Sequence, residues 1–368
     1  TVAPNVGTCT VTNGNLTYNA TLTPGQTVTI SYLTQVSDLA PAGAQVCTNN
    51  SVIFNGGTPV VVTACATVNC PPVGPGNPIP AASEGSDQKA GSVLIYNAYT
   101  SGATSSNTQN TRINITNVNP SRDAFVHLFF VAESCSVADS FLCLTRNQTT
   151  SFNTADFDPG TTGFVIAVAV NAITGCPTNF NYLIGDEYVK FSSGHSANLT
   201  AEAISAISSE AMICDETSPV ATLNFDGIAY NRLPRVLALD DIPSRADGND
   251  TKIVIDRIGG NLGLGAATLG TMFGIFYDDA ESALSFTFTG SCQFIDSLSN
   301  SFPRTTPRFE TFIPAGRTGW VKIGLTANLG DDGAIIGAVL NNRTVSSGYN
   351  GGRNFHKLTL SNSASLII

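Results

Sequence analysis

Charge is what this chain has least of. Only 12% of its 368 residues are Asp, Glu, Lys or Arg, about half the roughly 25% of an ordinary globular chain. Lys and Arg number 17 against 27 Asp and Glu, a net charge of −10. No basic run occurs, and phosphate backbones need clustered cations, so nucleic acid is excluded as a partner. Histidine is nearly missing: His127, His195 and His356 are the complete set of 3, which leaves few proton shuttles near neutral pH. A single Trp makes no evident aromatic platform for a sugar. The longest apolar runs, such as Gly163–Val170, fall well short of the roughly 20 residues that span a bilayer, so no membrane span is expected. No CxxC pair or Cys/His cluster exists, which disfavours zinc. The chain opens at Thr1 with neither Met nor leader, as expected of a processed or truncated form of something longer.

What replaces charge is Thr, Ser, Asn and Gly, side chains that suit strand surfaces and tight turns. Hydrophobic residues make up 42%, ample for packed cores, and the length suggests roughly two to four domains. Nine cysteines (9, 47, 65, 70, 135, 143, 176, 214 and 292) scattered through such a chain read as disulfides formed in an oxidising compartment. An odd count leaves one thiol free or paired with another molecule. Sequons at Asn15, Asn19, Asn49, Asn114, Asn147, Asn198, Asn249 and Asn342 are either glycosylation sites or the chance product of an Asn/Thr-rich sequence.

Three segments follow from the patterning. Residues 1–70 alternate apolar and polar with a period of two, as in Thr27–Tyr32. Ser51–Phe54 and Thr58–Val62 flank Asn55-Gly56-Gly57 as a hairpin, whose register sets Cys47 opposite Cys65. A bridge there would contribute about 3 kcal/mol. Residues 71–88, with five prolines among the first ten, read as a semi-rigid linker. Segments 89–205 and 206–368 each carry a series of short strands. Ser196–Ile207 is read as the one short helix, capped by Ser or Asn and rich in Ala. The two segments echo each other. Ser134-Cys135 precedes Gly163 of FDPGTTGFVIAVAV as Ser291-Cys292 precedes Gly319 of FIPAGRTGWVKIGLTA. Pro159-Gly160 and Pro314-Ala315-Gly316 launch the strands, with Pro24-Gly25 as a shorter echo. This favours duplication of one sandwich module, with Trp320 on an inward-facing strand position.

LTPGQTVTISYLTQV followed by VCTNNSVIF, within residues 7–68, resembles the second half of the conserved extracellular repeat domain of unknown function of bacterial surface proteins. That resemblance implies an immunoglobulin-like sandwich in surface stalks and arrays. The family's opening strands are missing, which implies an incomplete sandwich. Segments 2 and 3 are similar to uncharacterised secreted acidobacterial proteins, which implies a location and no activity. The expected fold class is therefore all-β: tandem immunoglobulin-like β-sandwich domains with one short helix.

Candidate chemistry is sparse. His127, inside AFVHLFF, reads as a packed strand residue. His195 is flanked by Ser193 and Ser196 but lies in no nucleophile elbow. Asp240, Asp241, Asp247, Asn249 and Asp250 gather hard oxygen ligands in what reads as a loop, either a Ca²⁺ site or a solvated Asp/Gly turn. Asp278-Asp279-Ala-Glu281 and Asp186-Glu187 are weaker versions. Gly259–Gly265 is Gly-rich without the strand–loop–helix context of a phosphate loop. Besides Cys47–Cys65, the simplest pairings are Cys135–Cys143 and Cys214–Cys292, leaving Cys9, Cys70 and Cys176 unassigned. No cofactor is expected beyond structural Ca²⁺, and no enzymatic activity. The reading is an extracellular structural protein: a subunit of a surface filament, stalk or sheath. An adhesin or glycan-binding surface module is the alternative. The expected partner is copies of itself in a head-to-tail homopolymer, with the alternating tail Leu358–Ile368 either donated to a neighbour or paired within its own segment.

Overall fold

The computed structural model describes residues 3–4, 8–12, 15–21, 23, 30–31, 45–53, 58–67, 84–103, 108–207, 213–215, 220–325, 333–345 and 348–368. It divides the chain into two compact units, Thr1–Pro71 and Pro72–Ile368. The Asn55–Gly57 loop, the Pro24-Gly25 turn and the Pro-rich stretch up to residue 83 lie outside the described residues.

The first unit pairs β1 (Ala3–Pro4) with β4 (Ile30–Ser31), β2 (Thr8–Thr12) with β3 (Asn15–Asn19), and β5 (Gln45–Val52) with β6 (Val60–Thr67), all antiparallel. In the last pair Cys47 faces Cys65 in the expected register and the two are bonded.

The second unit contains one architecture twice. Its first half runs β7 (Val93–Thr100), β8 (Asn110–Asn117), β9 (Ala124–Ala132), β10 (Val137–Leu144), β11 (Thr149–Asn153), β12 (Thr162–Val170), β13 (Leu183–Lys190), β14 (Ser196–Thr200) and β15 (Glu202–Ile204). A front sheet of order β10-β9-β12-β7-β15 packs on a back sheet of order β11-β8-β13-β14. The chain continues through β16 (Ile213–Asp215), β17 (Val220–Phe225), β18 (Pro234–Pro243), β19 (Asn249–Ile258), β20 (Gly260–Asn261), β21 (Gly265–Ala266), β22 (Gly270–Asp278), β23 (Ala283–Gly290) and β24 (Gln293–Ser297). It ends in α1 (Phe309–Phe312), β25 (Thr318–Leu325), β26 (Ala334–Arg343), β27 (Tyr349–Asn354), β28 (His356–Leu360) and β29 (Ala364–Ile367). The second front sheet, β23-β22-β25-β18-β28, and back sheet, β24-β19-β26-β27, repeat the first order strand for strand.

The repeat is also physical. Gly163 and Gly319 hold the same place in β12 and β25. A Cβ on Gly163 would lie 1.9 Å from the Val131 carbonyl oxygen, and one on Gly319 would lie 2.6 Å from that of Tyr277. Beside each glycine, the neighbouring front strand carries two residues opposite one: Asn97-Ala98 opposite Phe164, and Asp240-Asp241 opposite Trp320. Both are β-bulges, which re-aim the bulged strand.

The two sandwiches are not separate bodies. The central strands of the first front sheet, β7 and β12, are buried on both faces. Leu94, Tyr96, Leu128, Val165 and Ala167 point into the sandwich's own core. Ile95, Phe129, Phe164, Ile166 and Val168 point outward, under Leu223, Phe225, Ala364 and Leu366. Those last residues belong to a further sheet, β16-β17-β29-β20-β21. A sheet buried on both sides needs continuous apolar strands, and GFVIAVAV is one. The second core is dense in phenylalanine, with Phe276, Phe286, Phe288, Phe302, Phe309 and Phe312. The cut expected at 205/206 therefore runs through shared cores.

Several expectations are corrected. Ser196–Ile207 is not a helix: β14 and β15 occupy it, with Ala197 and Leu199 buried in strand alternation. The one α-helix among the described residues is the four-residue α1. Cys135 bonds Cys292, and Cys176 bonds Cys214, while Cys143 is free and exposed. Cys135 sits in the β9–β10 turn and Cys143 near the far end of β10, roughly 20–25 Å of extended chain away. Cys292 instead meets Cys135 because the residues around it dock there, with Cys292 N–H donating to the Glu133 carbonyl at 3.2 Å. The matched Ser-Cys spacing is thus coincidental, since the two cysteines occupy different loops of the repeat. Trp320 faces outward, 38% exposed and stacked on Tyr277 at 4.3 Å. The C-terminal tail breaks into β28, paired with β18, and β29, paired with β17 and β20 of its own unit. Of the two arrangements expected for the tail, this structure has it paired within its own unit.

Alanine at Gly163 is expected to cost about 3 kcal/mol, because a backbone oxygen cannot yield. Gly319→Ala should also destabilise, measurably in the denaturant midpoint. Two variants as stable as the parent would contradict the shared close approach.

Candidate functional site

The residues expected to hold Ca²⁺ are dispersed. Asp240 and Asp241 form the β18 bulge, Asp247 ends a 3₁₀ turn, and Asn249 and Asp250 open β19. Asp247 Oδ2 accepts the Gly316 N–H at 2.7 Å, and Asp250 Oδ1 accepts from Arg245 Nη1 at 2.6 Å. Asn249 is 6% exposed, donates to the Ser244 carbonyl and accepts from Asn341. That engagement also closes this sequon to a glycan in the folded chain. Asn19, Asn147 and Asn198 are exposed, and Asn114 and Asn342 are half-buried. The described residues contain no group of three or more His, Cys, Asp or Glu arranged for a metal. The Gly259–Gly265 motif forms the small β20–β21 hairpin that pairs with β29.

The histidines are structural in geometry. His195 is fully buried, its Nδ1 facing Ser193 Oγ at 3.0 Å and its Nε2 facing the Asp250 carbonyl at 2.9 Å. A carbonyl only accepts, so Nε2 donates, and burial lowers the imidazole pKa and keeps it neutral. His127 stacks between Phe129 and Phe141 and bonds Asp139 at 3.0 Å.

Asp240 and Asp241 nevertheless line a cavity of about 210 Å³, with Thr251 and Asn341 opposite and Tyr349, Gly351 and Arg353 on β27. Partial desolvation of Asp240 is outweighed by bonds from His356 at 3.2 Å and Arg353 at 2.8 Å, which hold its carboxyl below the usual range. Asp241 sits at φ 44° and makes no ion pair or side-chain hydrogen bond among the described residues. Asn341 Nδ2 donates to Tyr349 Oη at 3.1 Å. The buried Asn341 Oδ1 and the Thr251 hydroxyl have no partner among the described residues.

The internal repeat explains the cavity. Aligning the ladders, with Arg112 opposite Asn153 and Lys252 opposite Ser297, pairs Thr111 with Thr251 and Glu187 with Val339. It also pairs Ala197 with Gly351 and Leu199 with Arg353. In the first sandwich, Thr111 Oγ1 accepts the Thr100 N–H at 2.9 Å and Glu187 Oε1 accepts the Ala98 N–H at 3.0 Å. In the second, Pro243 stands where Thr100 would and has no N–H to give. Val339 replaces the carboxylate. The first sandwich's mouth is filled by its neighbour, as Val189, Ala197 and Leu199 pack on Val254, Ala338 and Leu340. The second sandwich's mouth stays open and polar. Sequence reading reached Asp240 and Asp241 but missed β18 and β27, because a bulged acidic strand and YNGGRN lack apolar alternation.

No protein-family model matches the chain, and no curated protein matches it. Among solved structures, the DEL162-163 mutant of Bacillus subtilis oxalate decarboxylase OxdC aligns over 64% of this chain and 67% of that one, at 7% identity and a TM-score of 0.11. At that score the likeness carries no argument about fold or function.

Thr251→Val should stabilise the protein by about 1 kcal/mol, since it removes a buried hydroxyl that has no partner among the described residues. Thr111→Val should destabilise it by a similar amount, because the Thr100 N–H loses its acceptor. Thermal melting of the two variants checks the contrast, and shifts of the same sign would refute it.

Proposed function

We propose that this chain is an extracellular structural protein, a rigid module of a surface stalk, sheath or filament that performs no chemistry of its own. The observation that carries the reading is the Cys135–Cys292 bridge, which closes 157 residues across two sandwiches that already share cores. A bridge of that span stabilises by about 5 kcal/mol in the chain-entropy model, and such bonds persist outside the reducing cytoplasm. His195→Asp250, Asn97→Asn354 and Lys357→Glu202 contacts, the last at 2.8 Å, reinforce the same seam. A unit fastened at so many points resists bending, which suits a spacer. No helix among the described residues is long and apolar enough to cross a membrane.

A second reading, a glycan-binding surface module, is favoured by the open cavity. Carboxylates, an amide and a tyrosine hydroxyl converge there, groups that bond vicinal sugar hydroxyls. Its volume suits one small polar unit.

Negative-stain microscopy of the native material is expected to show rods, sheets or filaments labelled at the cell surface by an antibody to this chain. Labelling confined to the cell interior would sink both readings. Saccharide binding on an array that Asp241→Asn abolishes would move the assignment to the second.

A further inference from the structure

The seam between the sandwiches buries four oxygen-bearing side chains from four strands. Asn97 on β7, Glu187 on β13, Asp256 on β19 and Gln293 on β24 are each at most 1% exposed. Glu187 and Gln293 both bond the Asn97–Ala98 step of backbone, and Asp256 joins them through Gln293. Glu187 Oε1 accepts the Ala98 N–H at 3.0 Å, and Gln293 Nε2 donates to the Asn97 carbonyl at 3.3 Å and to Asp256 Oδ1 at 2.7 Å. Asn97 Nδ2 donates across the seam to Asn354 Oδ1 at 2.7 Å. Within this group only oxygens remain: Asn97 Oδ1, Glu187 Oε2, Asp256 Oδ2 and Gln293 Oε1 have no partner among the described residues.

Among the described residues no cation bonds either carboxyl, and two buried carboxyls so placed are costly if charged. The charged group acting on Glu187 besides Asp256 is another acid, Asp186. Arg257 follows Asp256 on β19 but points away, its guanidinium against Gly333. Each carboxyl is nonetheless held as an acceptor, by the Ala98 N–H and by the Gln293 amide, and acceptance favours the ionised form. Carboxylate and amide oxygens in a dry site are the donor set of a hard cation. Two negative charges call for a divalent one. Side-chain amides and adaptable geometry suit Ca²⁺ better than Mg²⁺, which keeps its waters.

We propose that Asn97, Glu187, Asp256 and Gln293 bind one Ca²⁺-class ion at the seam between the sandwiches. The ion would clamp β7 and β13 of the first sandwich to β19 and β24 of the second. It lies away from the Asp240–Asp250 stretch, where the sequence pattern had pointed.

The test uses the full chain, purified without chelator. Elemental analysis should find about one equivalent of Ca²⁺ per chain. EDTA at pH 7.5 should lower the melting temperature by several degrees, and added CaCl₂, but not NaCl, should restore it. Glu187→Gln/Asp256→Asn should bind no ion and melt at one temperature in EDTA and in CaCl₂. Should that variant fail to fold, the wild-type metal content and EDTA response still decide. A wild-type chain without Ca²⁺, melting identically in EDTA and CaCl₂, would overturn the proposal, as would undiminished binding by the variant. Protons would then be what neutralises the pair.

Discussion

Docking of the second back sheet onto the open mouth of the first sandwich is the contact on which the rest of the larger unit depends. The outward-facing Val254, Ala338 and Leu340 serve as core for Val189, Ala197 and Leu199. Ala334 and Ile336 on the same strand, β26, cover the first front sheet from outside. One sheet thus completes two surfaces of its neighbour. Burial of apolar area is non-directional, so orientation must come from elsewhere. The paired disulfides and the buried polar contacts at Asn97, His195 and Glu202 supply it.

The β-bulge beside Gly163 and Gly319 shows one device with two outcomes. In both sandwiches it turns two residues of the front strand toward the mouth. In the first, a glutamate reaches across to meet the freed N–H, and a neighbouring sheet seals the site. In the second, proline, valine and glycine stand at the matching positions, and the mouth stays open beside two aspartates. Repetition fixed the scaffold, and a handful of substitutions separated a structural joint from an accessible cavity.

Much of the scaffold could be read from patterning, because strands declare themselves by period. GFVIAVAV proved to be a strand, and the hairpin register placed Cys47 against Cys65 correctly. The glycines launched by Pro159-Gly160 and Pro314-Ala315-Gly316 correctly marked the repeat. Errors arose where tertiary context overrode local preference. Ser196–Ile207 is rich in Ala, a helix former, yet its alternate residues are drawn into the seam as strands. Cysteine pairing across 157 residues depends on which loops dock, and sequence distance carries no record of that. Asp240 and Asp241 were singled out as Ca²⁺ ligands together with Asp247, Asn249 and Asp250, but the fold spreads these residues over a bulge, a 3₁₀ turn and the start of a strand. Asn97, Glu187, Asp256 and Gln293 lie too far apart along the chain to announce a cluster.

Native-state amide hydrogen exchange, with the disulfides intact, tests most directly whether the two sandwiches are one cooperative body. Amides of β9 and β12 in the first and of β19 and β26 in the second should open with the same free energy and the same denaturant dependence, as parts of one unit do. If the first sandwich opens at a distinctly lower free energy while the second stays protected, the halves fold independently and the account is wrong.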